Sequence, residues 1–358
     1  MQMKSQVFLI PASGRESQES ISRKAARALA KLGLHEAIAP GDFIGLKIHF
    51  GEKGNRGHIK PVWLMDMIAH LKRKSDRVYI SDSNTLYVGC RSNAVDHLDL
   101  AYRHGFSPQA LGIPCIIADG LIGRDSEEIS VDLPRIKQAK IAAAFVNTNM
   151  LVCLSHFTGH ALTGFGAAVK NLGMGCASRA GKLEQHADVS PKINPKKCRN
   201  CGTCFDYCPE NAIIEREGKA YIDNRKCIGC GECLVVCPAG AVKIPWDADK
   251  DRIQEKMAEY AYSVVSLFPK KIVCLNFLIK MTKDCDCMCK EAPAIVEDIG
   301  ILASVDPVAV DQASVDLVHE KSGRNLLRDL NHVDWRVQLE HGKKIGLGNT
   351  EYVLDILD

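Results

Sequence analysis

The stretch MLVCLSHFTGHALTGFGAAVKNLG, residues 150–173, begins as an apolar strand over 150–155 and turns polar at its end. SHFTGH brings His156 and His160, and a glycine-led helix over 164–173 then brings Lys170 and Asn171. The same order of strand, polar end and helix recurs on both sides. Upstream, strands are expected at 7–10, 42–50, 77–81 and 113–117. Helices are expected at 20–32, where Ile21, Ala25, Ala28, Leu29 and Leu32 fall at helical spacing, and at 61–73, 92–105 and near 136–147. Pro61 suits a first helical position, and Gly105 a helix end. Downstream, a helix is expected at about 250–267 and strands at 271–279, 298–303 and 352–357. A further helix over 306–323 has Asp306 as its N-cap and Gly323 as its stop. This alternation predicts an α/β fold, with a mostly parallel sheet flanked by helices.

Ligands of open α/β sheets bind outside the carboxyl ends of the strands. Here those ends carry many polar residues. Lys47 and His49 are two apart and share a face. GEKGNRGH (51–58) follows with three glycines and His58, and Asp82, Asn84 and Thr85 follow the strand at 77–81. One His or Lys at a strand end is ordinarily a hydrogen-bonded loop residue, but the gathering of so many on one edge points to a site. Lys47, His49, His156 and Lys170 are the catalytic candidates. Gly164 and Gly166 would let backbone N–H groups approach an anion, or serve close helix–sheet packing. Asp311 lies inside its helix and needs either solvation or an inward-facing site. In DCDCMCK (284–290), an extended chain would put Cys285, Cys287 and Cys289 on one face, as ligands of a further metal centre or as redox-active thiols. Cys90, Cys115, Cys153, Cys176 and Cys274 are isolated, and most are expected to pack in the core.

CRNCGTCFDYCP (198–209) and CIGCGECLVVCP (227–238) interrupt this pattern. Each runs C-x2-C-x2-C-x3-C-P. Soft thiolates suit iron–sulfur clusters. Three thiolates reach one cluster from a single loop, and the fourth reaches the other cluster. Cys198, Cys201, Cys204 and Cys237 are therefore expected to hold one [4Fe–4S] cluster, and Cys227, Cys230, Cys233 and Cys208 the other. Structural zinc takes four ligands in two pairs and leaves the third regular Cys of each loop unexplained. Gly202 and Gly231 fall where each loop must turn tightly. Ala212 with Ile213, and Ala241 with Val242, would give apolar cover. Residues 190–245 resemble a bacterial two-cluster ferredoxin. Three parts follow: residues 1–188 and 247–358 as one α/β domain, and residues 189–246 as an inserted small α+β ferredoxin-like domain.

Composition is that of an ordinary globular chain: 358 residues, 46% hydrophobic, 25% charged and a net charge of +3. That balance gives no argument for nucleic acid. Val7–Ile10 is too short an apolar run for a signal peptide, and no stretch approaches a membrane span. Eight of the sixteen cysteines lie in the two loops, which reads as metal ligation in a cytoplasmic protein.

KIHFGEKGN (47–55), SDSNTLYVG (81–89), SHFTGHALTGFGAAVKNLGMGCASRAGK (155–182), KDCDC (283–287) and DIGILASVDPVAVDQAS (298–314) resemble the uncharacterised Fe–S centre protein family, domain of unknown function 362. The resemblance implies an anaerobic-type iron–sulfur protein and supplies no reaction. It implies that Lys47, His49, Asp82, His156, His160, Lys170, Asn171, Cys285, Cys287, Asp298 and Asp306 belong to the family pattern. The expected function is a candidate iron–sulfur oxidoreductase: two clusters relay low-potential electrons to the polar strand ends, where an anionic small molecule binds. The alternative is a non-catalytic electron-transfer or maturation partner that docks a redox partner protein.

Overall fold

The computed structural model describes residues 4–33, 37–186, 190–243, 249–290 and 292–357. Its centre is an eight-stranded sheet. The strands are β1 (Ser5–Pro11), β2 (Ile44–Lys47), β3 (Val78–Asp82), β4 (Cys115–Ile117), β5 (Met150–His156), β6 (Ile272–Leu278), β7 (Gly300–Ser304) and β8 (Tyr352–Ile356). Their order is β8-β1-β7-β6-β5-β2-β3-β4. Only β7 runs against its neighbours, and every other pairing is parallel. The mostly parallel α/β expectation therefore holds. Parallel strands align their carboxyl ends along one edge, so Lys47, Asp82 and His156 leave the sheet together.

The helices used below are α1 (Gln18–Lys31), α2 (Met65–Lys72), α3 (Ala94–Arg103), α4 (Ala168–Gly173), α5 (Arg179–His186), α6 (Lys250–Ser266) and α7 (Pro307–Ser322). Period-two alternation sends strand side chains to two cores. Leu46, Val152, Leu154, Val273 and Leu275 face Ile21, Ala25 and Leu29 of α1 and Met67 and Leu71 of α2. Leu151, Cys153, Cys274 and Leu302 face Leu172 of α4, Met257 and Tyr260 of α6 and Val310 of α7. Both faces are covered, which is why β5 and β6 are apolar almost throughout. Cys115, Cys153, Cys176 and Cys274 are buried in these cores, as expected of isolated cysteines. Helix starts follow the caps: Ser17 accepts from Ser20 N–H, Asn93 from Asp96 N–H, and Asp306 from Val308 and Ala309 N–H.

Three expectations need correction. The strand expected over 42–50 is shorter, and His49 lies just beyond it. The helix expected near 136–147 is a strand, Gln138–Ala142, paired antiparallel with Ser126–Ser130 and followed by one helical turn. An alanine-rich run suits either period, and here pairing buries Ala139 and Ile141. The helix expected over 164–173 starts only at Ala168, because Gly164–Gly166 pairs with Thr158–His160. Gly164 is there for its left-handed φ of 76° and for the close approach of Trp335. The expected boundaries at 188/189 and 246/247 lie outside the described residues.

Asp311 has the inward-facing role that its place in a helix required. Its carboxylate accepts from the Ala168 N–H at 2.8 Å, the Val169 N–H at 2.9 Å and the Asn276 amide at 2.7 Å. The acceptor at this helix start is thus the protein's own side chain. Burial raises its pKa to about 7, against the pull of these donors. The raised value fixes the sign: protonation favours the folded state, fully below the unfolded value of about 4 and no longer once the pH passes 7. Asp311→Ala should lower the unfolding free energy by roughly 2–4 kcal/mol, read from urea titrations at neutral pH. Asp311→Asn should cost less, and its deficit relative to wild type should shrink between pH 4 and 7. A flat difference across that range would show that Asp311 is ionised throughout.

Candidate functional site

The carboxyl edge of the sheet opens into a cavity of about 270 Å3. Lys47, His49, His156 and Lys170 all line it, as do Asp82, His160, Asn171, Cys285 and Cys287. Residues from three strand ends, from α4 and from the CDC segment therefore meet at one place, as the fold rule required. Asp298 and Asp306 do not join them. Asp298 binds Ser13, Gly14 and the Lys280 N–H at a separate groove, and Asp306 remains a helix cap. His58 lies behind the wall, stacked on His104 with ring centroids 4.4 Å apart.

Most of the cavity's charges are already committed. Lys47 Nζ donates to Asn171 Oδ1 at 2.7 Å and Ile48 O at 3.2 Å, and pairs with Asp82 at 3.0 Å. Its three N–H groups are thereby used. Asn171 in turn donates to Leu154 O and Ser155 Oγ, tying α4 to the end of β5. Burial would raise the Asp82 pKa, but Lys47 and the neighbouring cations hold it far below the usual carboxylate range.

The two histidine candidates differ in charge. His49 faces two donors, the Gly51 N–H at its Nδ1 and the Arg91 guanidinium at its Nε2, both at 2.9 Å. Burial and the Arg91 charge push its pKa well below the usual value, so the ring is neutral. His156 faces two acceptors instead, Asp286 at 2.8 Å and Ile279 O at 2.9 Å. Only an imidazolium donates from both nitrogens. Burial opposes that charge, but Asp286 and the two hydrogen bonds raise the pKa overall. Neither ring has a nitrogen left over for a ligand.

Lys170 is different. No hydrogen bond or ion pair to its ammonium is found among the described residues. Burial, with Arg91 and Lys47 nearby, lowers its pKa to about 8. Beside a cavity, an unpartnered cation of that pKa both attracts anions and exchanges protons near neutrality.

Sequence reasoning missed Arg91, Asp286 and Lys182. Arg91 joins Glu52 through a buried contact, and His49 and Tyr87 through partly buried ones. Asp286 sits between the two cysteines of the CDC motif, which was the available signal. The CDC segment is a turn, not an extended chain, and Cys285 and Cys287 are joined to each other. Cys289 is exposed and not joined to either. The glycine loop 51–58 packs on this turn, through Asn55 to Met288 O at 3.4 Å and Gly54 against Cys289 O.

The interrupting segment forms a lobe of short elements. Lys192–Ile193 pairs with Val242–Lys243, and Ile213–Arg216 with Lys219–Ile222. Gly202 and Gly231, at φ of 80° and 76°, start helices Thr203–Asp206 and Glu232–Val236. Ala212, Ile213, Ala241 and Val242 are buried within it. Two small cavities lie inside. Cys198, Cys201, Cys204 and Cys237 line one, and Cys208, Cys227, Cys230 and Cys233 line the other. The pair is matched in detail: the Ala212 N–H donates to Cys208 Sγ and the Ala241 N–H to Cys237 Sγ, each at 3.2 Å. Burial and the neighbouring thiols raise Cys204 and Cys230 to about 11. Among the described residues, no three His, Cys, Asp or Glu groups close tightly enough for one metal ion.

The second loop faces the α/β part. A Cβ on Gly231 would stand 3.2 Å from Leu86, which also lines the cavity at the sheet edge, and 3.2 Å from the Arg179 stem. Arg179 is buried and donates to the carbonyls of Thr85, Ile122 and Ser92. Arg124 pairs with the buried Glu232.

Comparisons add the family. The lactate racemase apoprotein from Thermoanaerobacterium thermosaccharolyticum matches with 14% identity and a TM-score of 0.46, over 89% of this chain and 58% of that one. A Thermotoga maritima protein matches with 8% identity and a TM-score of 0.42, over 86% of this chain and 59% of that one. The chain thus spans less than two thirds of either neighbour's length. No curated protein matches it. Among the described residues, no helix is long and apolar enough to cross a membrane. The family described as "Domain of unknown function (DUF362)" matches residues 44–316, most of the chain, and the protein belongs to that family.

Proposed function

We propose that the protein is an iron–sulfur oxidoreductase whose lobe is a two-cluster ferredoxin-like domain. In this reading the lobe passes low-potential electrons to an anionic small molecule in the cavity at the sheet edge. The observation that carries it is the division of eight thiols into two crossed sets of four, each around its own cavity. Four thiolates spread around a cavity suit a polynuclear cluster better than one ion. The donor set fits in a second respect. Amide N–H groups already point at Cys198, Cys208 and Cys237 sulfurs, where they would stabilise thiolate charge. Bound there, [4Fe–4S] clusters would supply one-electron chemistry.

The chain's own groups have distinct tasks. Lys170 attracts the anion and holds a proton that it can give up near neutral pH. The His156–Asp286 pair and the Lys47–Asp82 pair hold fixed charge around it, and Asn171 fixes α4 on the sheet. A docking partner without substrate has less support, since a recognition surface gains nothing from a cation inside a cavity.

The crossed donation has a specific expected outcome. Anaerobically prepared protein should carry about eight iron and eight sulfide per chain. Cys201→Ser with Cys237→Ser should cost one cluster, because both serve the same one. Cys201→Ser with Cys208→Ser should perturb both. Equal iron loss in the two double variants would remove the crossing, and a zinc-only or colourless protein would remove the redox reading.

Lys170 makes a second expectation. Inorganic sulfate, titrated by calorimetry, should bind the wild type at pH 7. Its affinity should fall about tenfold per pH unit above 8, as the ammonium deprotonates. Lys170→Met should weaken binding at pH 7 by at least about tenfold and remove that pH dependence. Unchanged binding by the variant would place the anion elsewhere.

A further inference from the structure

The turn that joins Cys285 to Cys287 is not used by the reading above. Both cysteines line the cavity at the sheet edge, and Asp286 between them is bonded to His156 at 2.8 Å. That bond anchors the turn to the end of β5. The turn is held from behind as well, since a Cβ on Gly159 would strike Lys283 O. The Cys287 N–H points at Cys285 Sγ at 3.4 Å, a donor that favours negative charge on that sulfur. His156 and Lys170 set positive charge around the same cavity. A thiolate formed there is stabilised, which eases both opening and closing of the S–S bond.

The lobe reaches this cavity from another side. Leu86 belongs to the lobe's apolar core and also to the cavity wall, and it packs at Gly231 beside Cys230. The set Cys208, Cys227, Cys230 and Cys233 is therefore the one next to the α/β part. A ferredoxin-like lobe delivers electrons one at a time, whereas most small-molecule reductions need two. A cavity fed by such a lobe needs a group that collects a pair.

We infer that Cys285 and Cys287 are a redox-active disulfide that stores two electrons between the lobe and the bound anion. The inference rests on the cluster reading. Cys285–Cys287 takes one electron from each of two reduced [4Fe–4S] clusters and two protons from the cavity side. The S–S bond breaks and two S–H bonds form, while both clusters return to their oxidised state. The resulting dithiol faces the ligand cavity. The acceptor class it suits is an anionic disulfide, which it would reduce by thiol–disulfide exchange and so close its own bond again. Cys289, exposed and outside the disulfide, takes no part.

The test is a stoichiometric dithionite titration of the anaerobic full chain, with acid quenching, iodoacetamide labelling and mass analysis of the 281–290 peptide. The wild type should take up about four electrons, two in the clusters and two in the disulfide. The Cys285→Ala/Cys287→Ala variant should take up about two, with its cluster absorbance and iron content unchanged. Cys289→Ser should behave as wild type. Label should enter Cys285 and Cys287 only after reduction. Equal uptake by wild type and double variant overturns the inference, and so does label in both cysteines before any reductant is added. Loss of iron in the double variant overturns it too, because the two thiols would then be metal ligands. In all three cases a coloured protein whose clusters still reduce leaves the cluster reading standing. A colourless chain overturns both.

Discussion

One buried carboxylate organises the site. Asp311 accepts from the first N–H groups of α4 and from Asn276 of β6, and so fixes where α4 begins against the sheet. Lys170 and Asn171 follow within a turn. Asn171 then holds Lys47 and the end of β5, and Lys47 holds Asp82 at the end of β3. Four sheet positions and two helices, α4 and α7, are thereby coupled through buried and partly buried hydrogen bonds. Gly173 lets α4 lie directly on the Met257 carbonyl of α6, so the helix has little room to shift.

That coupling explains the unequal roles of similar residues. Lys47 and Lys170 are both lysines at the cavity, yet the first is saturated by acceptors and the second finds none among the described residues. His49 and His156 are both buried, yet one lies between donors and stays neutral while the other lies between acceptors and stays charged. Residue type and sequence position do not separate these cases. Only the neighbours do, and the neighbours come from distant segments: Arg91 for His49, and Asp286 for His156.

Much was nevertheless legible in the chain. The alternation of strands and capped helices gave a mostly parallel sheet, and the rule of carboxyl edges gathered Lys47, His49, His156 and Lys170 correctly. The spacing of CRNCGTCFDYCP and CIGCGECLVVCP grouped the eight thiols as the two cavities do. What failed was local. Ala-rich 138–142 pairs as a strand because its partner, Ser126–Ser130, is there to pair with. Gly164 and Gly166 serve a β-pairing and the approach of Trp335 and Lys170, and the acceptor at the helix start, on Ala168 and Val169 N–H, is Asp311 from far along the chain. Asp286 was hidden because an extended reading of CDC turns it away from its neighbours, whereas the turn brings it to His156.

The central claim is that thiols donated crosswise between two loops hold iron next to a cation-bearing cavity. Anomalous scattering at the iron edge, from crystals grown without oxygen, tests it most directly. The account predicts two compact iron sites, one inside Cys198, Cys201, Cys204 and Cys237 and the other inside Cys208, Cys227, Cys230 and Cys233, beside Leu86. A lobe without iron, or a single zinc bound by thiols of only one loop, would contradict it.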